Sequence, residues 1–538
     1  MITQLSLQNI RLFDDDFWQF DLAPLTVLCG TNSSGKSTLL KTLLLLRQST
    51  DFRESLGSPD GELRLVGSYV DMGSYTSLVS HRETDRLMGI RLGVTGLMPR
   101  DAVSDLRRFN GESVDSRRRD KGRTRYDFIA EFLFAPRDPP QPDEEALDAD
   151  VTKPERAEQD VALHTQLRRA DFGLVVDGRG LLSWFIEQNR SHSGYDLYVP
   201  IKVFREFRRQ LRVKGVKPPK VRTRRGQQYA VVHTQLIGLL PLRMIVPLKS
   251  DPSQIEQVHE PDSITTPLPP YLAEPVRKLL SAIETVHYLA PLRTPAKRYY
   301  VLDAGRSVMD SAGEYLPYIL RDSSTRLVSH VPPSGGKRIR STLGDALNEW
   351  LSYLRTGEFG YRQQDNELNV LPTKHVFVEL SIRSAFGDEL HALADSGVGY
   401  SQVLPILAQC LLAGVGSTTA IEQPELHLNP AVQVRLATFF ARMAQAGKQV
   451  ILETHSEHIV NAIRVLAAED ASGDLASDTR VYFVDTRGRE IHVRDMAIGP
   501  DGSVDDWPEG FFGEALGLTG RLLRAQRLHR KSAAPKEG

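Results

Sequence analysis

The apolar positions of the first 50 residues change period three times. In ITQLSLQNI they alternate with polar positions, which predicts a half-buried strand, and in LTVLCG they run unbroken to Gly30, which predicts a short buried strand. From about Lys36 they fall at helical spacing through Leu39, Leu40, Leu43, Leu44 and Leu46, so a helix is predicted there. From about 60 to 95 the pattern predicts further short strands, including VGSYVDMGSYTSLVS. Regularity fades after about residue 96. Residues 138 to 160 hold four prolines and nine acidic residues against Lys153 and Arg156, the composition of a solvated linker. The strand-like FGLVVDG precedes a basic run at 201 to 226, and QYAVVHTQLIGLLPLRMIVPL follows it. Prolines are frequent from 260 to 345, where VHYLAPLRTPAKRYYVL reads as a strand and turn.

Alternation of strand and helix returns near residue 375. HVFVELSIR, TTAIE and KQVILETH read as strands, and GYSQVLPILAQCLLA, PAVQVRLATFFARMAQ and SEHIVNAIRVLAA read as helices. RVYFVDT and REIHVRDM predict a hairpin around RG, and RLLRAQRLHRKSAAPKEG a basic helix fraying into a tail. There is no internal repeat and no sustained heptad, which argues against a coiled-coil arm.

A chain of 538 residues exceeds a single core and predicts two to four domains. Its 41% apolar and 25% charged content is that of an ordinary globular protein. The net charge of −1 gives no overall attraction to nucleic acid or membrane, so any such affinity must come from a local patch. Two cysteines, Cys29 and Cys410, exclude a disulfide framework and favour a reducing compartment. The N-terminus lacks the form of a signal peptide, and LLKTLLLLRQ is too short and too charged for a membrane span. A soluble cytoplasmic protein without a membrane partner is expected.

Candidate chemistry begins with GTNSSGKST, residues 30 to 38, which matches G-x-x-x-x-G-K-[ST] between a predicted strand and a predicted helix. Gly30 and Gly35 let the loop through Asn32, Ser33 and Ser34 curl so that backbone N–H groups converge on phosphate oxygens, and the helix start adds partial positive charge at Thr38. Lys36 is placed to reach the β- and γ-phosphates of ATP, and Ser37 to offer its hydroxyl to Mg²⁺. Glu422, at the end of the apolar TTAIE, is a second candidate magnesium ligand. About 30 residues later ILETHSEH ends a further strand in His455, a residue able to hydrogen-bond a γ-phosphate or an attacking water. From Lys202 to Arg225 eleven basic residues face one acid, Glu206, a net of +10 that could neutralise several DNA phosphates. Arg117, Arg118, Arg119, Lys121, Arg123 and Arg125 form a second basic cluster. Few aromatics interleave with the charges, so duplex backbone contact is expected rather than base stacking.

In this order LQNIRLF, GTNSSGKST, DSGVGYSQVLPIL, AIEQPELHLNP and ILETHSEH resemble the split ABC-type ATPase head of SMC proteins and overcoming-lysogenization-defect (OLD) nucleases. The chain is most similar to small bacterial AAA-family ATPases with a C-terminal domain of unknown function, seen in anti-phage systems. Their hallmarks are matched by YLAPLRTPAKRYY, SAGEYL, ALNEWLSYL and DWPEGFF. The resemblance implies an α/β fold: a split P-loop ATPase head with a large α+β insertion between the Walker A motif and the signature and Walker B motifs. Its divisions would be an N-lobe at 1–95, an insertion at 96–280, a C-lobe at 281–495 and an extension at 496–538.

It also implies that ATP is sandwiched between two copies. Ser396, Gly397 and Gly399 of the signature loop would approach the partner's γ-phosphate, and Asn429 would lie in the loop joining the two sites. Arg11 would sit near the adenine or phosphates, and Gln48 would be a weak candidate for sensing magnesium. Two positions depart from the family pattern. Glu422 stands where an aspartate is usual, and Gln423 where the catalytic glutamate is usual. An amide takes no proton from water, and losing a positioned base costs about 10²–10⁴-fold. Glu425 is a candidate replacement base, or Gln423 orients the water as a glutamine does in small GTPases. The carboxylates after residue 470, such as Asp485, Asp501, Asp505 and Asp506, make no nuclease-like constellation, so no Toprim domain is expected. The resulting expectation is a slow ATPase that dimerises around ATP and binds DNA through 202–225. Its role would be anti-phage defence beside a separately encoded effector. The alternatives are a non-hydrolysing ATP-gated scaffold for a protein partner and a DNA-repair ATPase.

Overall fold

The computed structural model describes residues 1–51, 61–109, 122–137, 165–189, 194–211, 216–248, 263–298, 300–301, 309–354, 358–366, 375–383, 390–395, 398–488, 490–504, 521, 522, 524 and 526. Two sheets carry its architecture. The smaller runs in the order Val286–Leu289, Thr418–Glu422, Gln449–Glu453, Leu25–Gly30, Thr479–Arg487, Glu490–Met496. Its first five strands are parallel and the last closes a hairpin. Every residue of Leu25–Gly30, Thr418–Glu422 and Gln449–Glu453 is buried, as unbroken apolar strands require when both faces are covered. Successive side chains enter different cores. Leu25, Val27 and Cys29 join a core with the helices Val398–Leu412 and Pro430–Gln445, whereas Leu28, Ala420 and Ile451 join one with the P-loop helix Lys36–Thr50.

The larger sheet has eleven strands, all antiparallel. It begins with Ile2–Gln8 and Trp18–Asp21 and continues through Met88–Pro99, Arg123–Pro136 and Thr165–Val176 out to Ser263–Pro267. Alternation along Arg123–Pro136 buries Tyr126, Phe128, Ala130, Phe132 and Phe134 and turns Glu131 outward, so only one face is dry. The P-loop helix packs between the two sheets, which explains why Leu39, Leu40 and the run Leu43–Leu46 are all buried rather than striped along one face.

Several expectations meet the fold differently. The boundary at residue 95 falls inside the strand Met88–Pro99, and the strands after it extend the sheet that Ile2–Gln8 begins. VGSYVDMGSYTSLVS forms no named strand. Val66 and Asp71 make an isolated bridge, Gly73 takes φ +80°, and Ser74 caps the short helix Tyr75–Leu78 through a capping box. Among its described residues the basic run holds two elements, the helix Ile201–Gln210 and the strand Lys220–Arg224, and Arg212 and Lys214 lie outside the described residues. The acidic stretch 138–160, Arg117–Lys121, Ser396, Gly397, DWPEGFF and most of the basic tail lie outside the described residues. Among the described residues no helix is long and apolar enough to cross a membrane.

Candidate functional site

The P-loop leaves its strand at Gly30, whose φ is +132° and where an added Cβ would lie 1.9 Å from the Val484 carbonyl oxygen. Only glycine fits there. Gly35, at φ +94°, rests against the Phe13 ring, and Ser34 Oγ donates to the Thr31 carbonyl at 2.8 Å. Asn32 and Ser33 are exposed at the loop tip, and Thr38 is buried behind it. Lys36 is 3% exposed and its Nζ donates to the carbonyls of Gly30 (3.3 Å) and Thr31 (2.5 Å). Burial lowers its pKa, opposed by Glu453.

Ser37 Oγ donates to the Glu453 carboxylate, at 2.8 Å from Oε2 and 3.0 Å from Oε1. Glu422 and Glu453 are direct partners on neighbouring parallel strands, both 5% exposed. Burial raises both pKas, and Glu422 helps push Glu453 to about 7. Tyr288 Oη donates to Glu422 Oε1 at 2.8 Å. Arg293, 4% exposed, donates from Nη2 to the Glu422 carbonyl oxygen at 2.9 Å and from Nη1 to Gln402 Oε1 at 3.3 Å. Burial holds its pKa down at about 10.

The switch residues complete this strand-end cluster. Gln423 takes φ +43°, and its backbone N–H donates to the Glu453 carbonyl at 2.7 Å. Glu425 accepts from Thr454 Oγ1 and from the His455 backbone N–H, both at 2.8 Å, so each of its oxygens is engaged. Burial nonetheless raises its pKa. His455 lies half-buried beside the Gly30 carbonyl, with its pKa lowered by burial and by Lys36. Gly399, in the first turn of Val398–Leu412, abuts His427 and Leu428 of the loop after Glu422. Asn429 caps the helix Pro430–Gln445, its side chain accepting from the Val432 N–H at 3.0 Å.

Among the sequence-derived candidates, Gln48 stands apart from this cluster. Gln48 lies eleven residues along the helix from Ser37, about 17 Å away. It is fully buried, donating to the Arg64 carbonyl at 2.6 Å and accepting from the Val70 N–H at 3.1 Å. Arg11 is exposed, in the turn whose Phe13 supports Gly35. The sequence reading missed Glu453, Tyr288, Arg293 and Gln402. Glu453 was visible as the last residue of an apolar strand, and Tyr288 and Arg293 as the polar members of YLAPLR.

The donor set fits a divalent cation shared with phosphates. Among the described residues no group of three or more His, Cys, Asp or Glu could hold a metal alone. A hydroxyl flanked by two buried carboxylates, whose repulsion a cation relieves, suits an ion that keeps water and phosphate ligands. Ser37, Glu422 and Glu453 are the residues that would hold it, and the P-loop N–H groups with Lys36 would hold the phosphates.

A family model described as "AAA domain, putative AbiEii toxin, Type IV TA system" matches residues 387–461, and one described as "Protein of unknown function (DUF3696)" matches residues 476–522. No curated protein matches the chain. Similar solved structures include an SMC head bound to the C-winged helix domain of ScpA, at 10% identity and a TM-score of 0.38, covering 92% of this chain and 98% of that one. The Pyrococcus furiosus SMC head with an extended coiled coil, bound to the C-terminal domain of ScpA, gives 10% and 0.35 over 98% and 99%. The SMC head domain from Thermotoga maritima gives 9% and 0.32 over 92% and 98%. Likeness at these TM-scores carries no argument. The AAA-domain match covers the segments that bring Glu422, Gln423, Glu425 and His455 to the P-loop. That match, together with the P-loop geometry, supports an AAA-type ATPase core.

Proposed function

We propose that the chain is a slow ATPase that closes as a homodimer around ATP and Mg²⁺ and engages duplex DNA. The observation that carries the nucleotide part is the Ser37–Glu453 hydrogen bond beside Glu422, which joins the P-loop to both neighbouring strand ends. In this reading Lys36 and the loop N–H groups bind the phosphates, His455 contacts the γ-phosphate, and Gln423 orients the water. Glu425, with both oxygens engaged, braces His455 rather than taking a proton. Gly399 and the signature loop serve the partner's nucleotide.

DNA contact is assigned to the basic helix and hairpin. Among the described residues Arg205, Lys217, Lys220 and Arg225 are exposed cations without an ion-pair partner. Arg224 instead pairs with Glu187 at 2.9 Å and Arg222 donates to Tyr198 Oη at 3.0 Å, which fixes the strand on its sheet. An anti-phage role beside a separate effector follows from the family resemblance alone.

The test is binding of a fluorescent ATP analogue with Mg²⁺, mass by light scattering, and turnover, each against Lys36→Ala. Binding and dimerisation lost in the variant support the reading, and equal behaviour refutes it. A second reading, an ATP-gated scaffold without hydrolysis, is favoured by the amide at 423 beside a fully engaged Glu425. It predicts dimerisation with ATP and turnover no higher than in Lys36→Ala.

A further inference from the structure

We propose that Arg293 is a positioning residue that ties the helix Val398–Leu412 to the peptide unit joining Glu422 and Gln423, so that movement of that helix reaches the metal and water positions. The inference rests on the nucleotide reading above. That peptide unit is held at both ends. Its carbonyl oxygen accepts from Arg293 Nη2 at 2.9 Å, and its N–H donates to the Glu453 carbonyl at 2.7 Å. Gln423 follows with φ +43°, a conformation that a residue with a Cβ keeps only when its surroundings impose it.

The other half of the guanidinium reaches Gln402 Oε1 at 3.3 Å, one turn into the helix that begins the signature segment. Gln402 is itself 4% exposed. Arg293 Nε is buried without a hydrogen-bond partner among the described residues. The group is therefore not a saturated structural anchor. It spans two elements, each through a neutral acceptor, a geometry that a planar fork allows and a lysine ammonium does not.

The loop bearing Arg293 is linked to the same helix from a second side. The Ala290 and Thr294 N–H groups donate to the carbonyls of Ser311 (2.8 Å) and Ala312 (2.9 Å), and the next residue, Gly313, packs directly against Pro405. The helix, the loop and the strand end thus form one linked unit. Neither Gln402 nor Arg293 bonds to Ser37 or to Lys36 among the described residues, so the linkage reaches the metal position through the Glu422–Gln423 peptide unit, which bears Glu422 and is bonded to Glu453. Glu422 is also held at its carboxylate by Tyr288, so its two ends are set by the same strand-and-loop segment.

The test reads the MgCl₂ concentration giving half-maximal tightening of a fluorescent ATP analogue (mant-ATP) on the full chain. It compares wild type, Gln402→Leu, Arg293→Lys, the double variant, Gln402→Glu and Lys36→Ala, with thermal melts alongside. Coupling predicts that each of the first two single variants raises the half-point at least about fivefold, while metal-free affinity stays within about twofold. The double variant should be no worse than the worse single one, because both break one linkage. Gln402→Glu, which restores an acceptor, should return the half-point toward wild type. A wild-type half-point in Gln402→Leu, or losses that multiply in the double variant, overturns the inference even if melting falls. If Lys36→Ala binds the analogue as wild type does, the nucleotide reading fails and takes the inference with it.

Discussion

Replacing Glu453 by glutamine separates the metal role of this residue from its cost to the fold. Burial and the neighbouring Glu422 carry its pKa from 4.5 to about 7. At about 1.4 kcal/mol per pH unit, this places about 3 kcal/mol against the ionised carboxylate. The folded chain then holds the Glu453 proton more tightly than the unfolded chain does. Stability from this group therefore falls as pH rises from 4.5 to about 7, and the full penalty is present above that window. Glutamine removes the charge and keeps an oxygen to accept from Ser37. The nucleotide-free variant, melted in EDTA, should be more stable than wild type at pH 8 by up to about 3 kcal/mol, a rise of a few degrees. The gap should shrink at pH 5. With MgCl₂ and ATP the order should reverse, because a cation favours a carboxylate over an amide. A variant that melts below wild type at pH 8 in EDTA, or a gap as large at pH 5 as at pH 8, would refute this account.

Four further outcomes are expected. Gly30→Ala should lose at least about 3 kcal/mol in urea unfolding, since its Cβ would lie 1.9 Å from the Val484 oxygen at φ +132°; wild-type stability would contradict the backbone account. Tyr288→Phe removes a hydrogen bond to a charged acceptor, about 1.5–3 kcal/mol, and should raise the Mg²⁺ requirement of ATP binding about tenfold or more; an unchanged requirement would detach Tyr288 from the metal. Gln423→Glu should speed turnover by about 10²-fold or more, whereas Glu425→Gln should chiefly lower the melting temperature; abolished turnover at full stability in Glu425→Gln would restore it as the base. Reversing Lys217, Lys220 and Arg225 to glutamate should weaken duplex binding at 50 mM salt and flatten the log-log salt slope by about 3. Equal slopes would place the DNA contact elsewhere.

The parts of the site legible in the sequence are those fixed within a few residues of one another. The P-loop is local: two glycines, a lysine and a serine between an apolar run and a leucine-rich helix, and Gly30 and Gly35 both adopt positive φ. The strand ending at Glu422 was equally readable from its unbroken apolar run, whereas the strand read as ending at His455 ends two residues earlier, at Glu453. What stayed hidden depends on register between distant strands. Glu453 joins the site only because Gln449–Glu453 lies between the strand Thr418–Glu422 and the P-loop strand, which sets it opposite Glu422 and under Ser37. Gln48 failed for the converse reason. The family resemblance offered it as a magnesium sensor, but its distance along the helix Lys36–Thr50 and its bonds to Arg64 and Val70 commit it to holding the loop that follows. The large sheet was read as separate short strands because each half-buried strand is locally ambiguous. Only the pairing of Met88–Pro99 with both Ile2–Gln8 and Arg123–Pro136 makes them one surface.

The amide at position 423 bears differently on binding and on turnover. In the proposed reading, cation binding would draw on Ser37, Glu422 and Glu453, none of which is altered by the missing base, and two buried carboxylates would make the cation more strongly needed than one. Proton removal would draw on Gln423 and Glu425, one an amide and the other committed to His455 and Thr454. On the proposed reading, the same strand ends would favour a bound nucleotide while withholding the group that would destroy it. A two-copy assembly built on such a site would be held together longest where ATP is abundant, and its release would depend on whatever shifts the Gln402–Arg293–Glu422 linkage. On that reading, timing rather than turnover number would be the property that this arrangement controls.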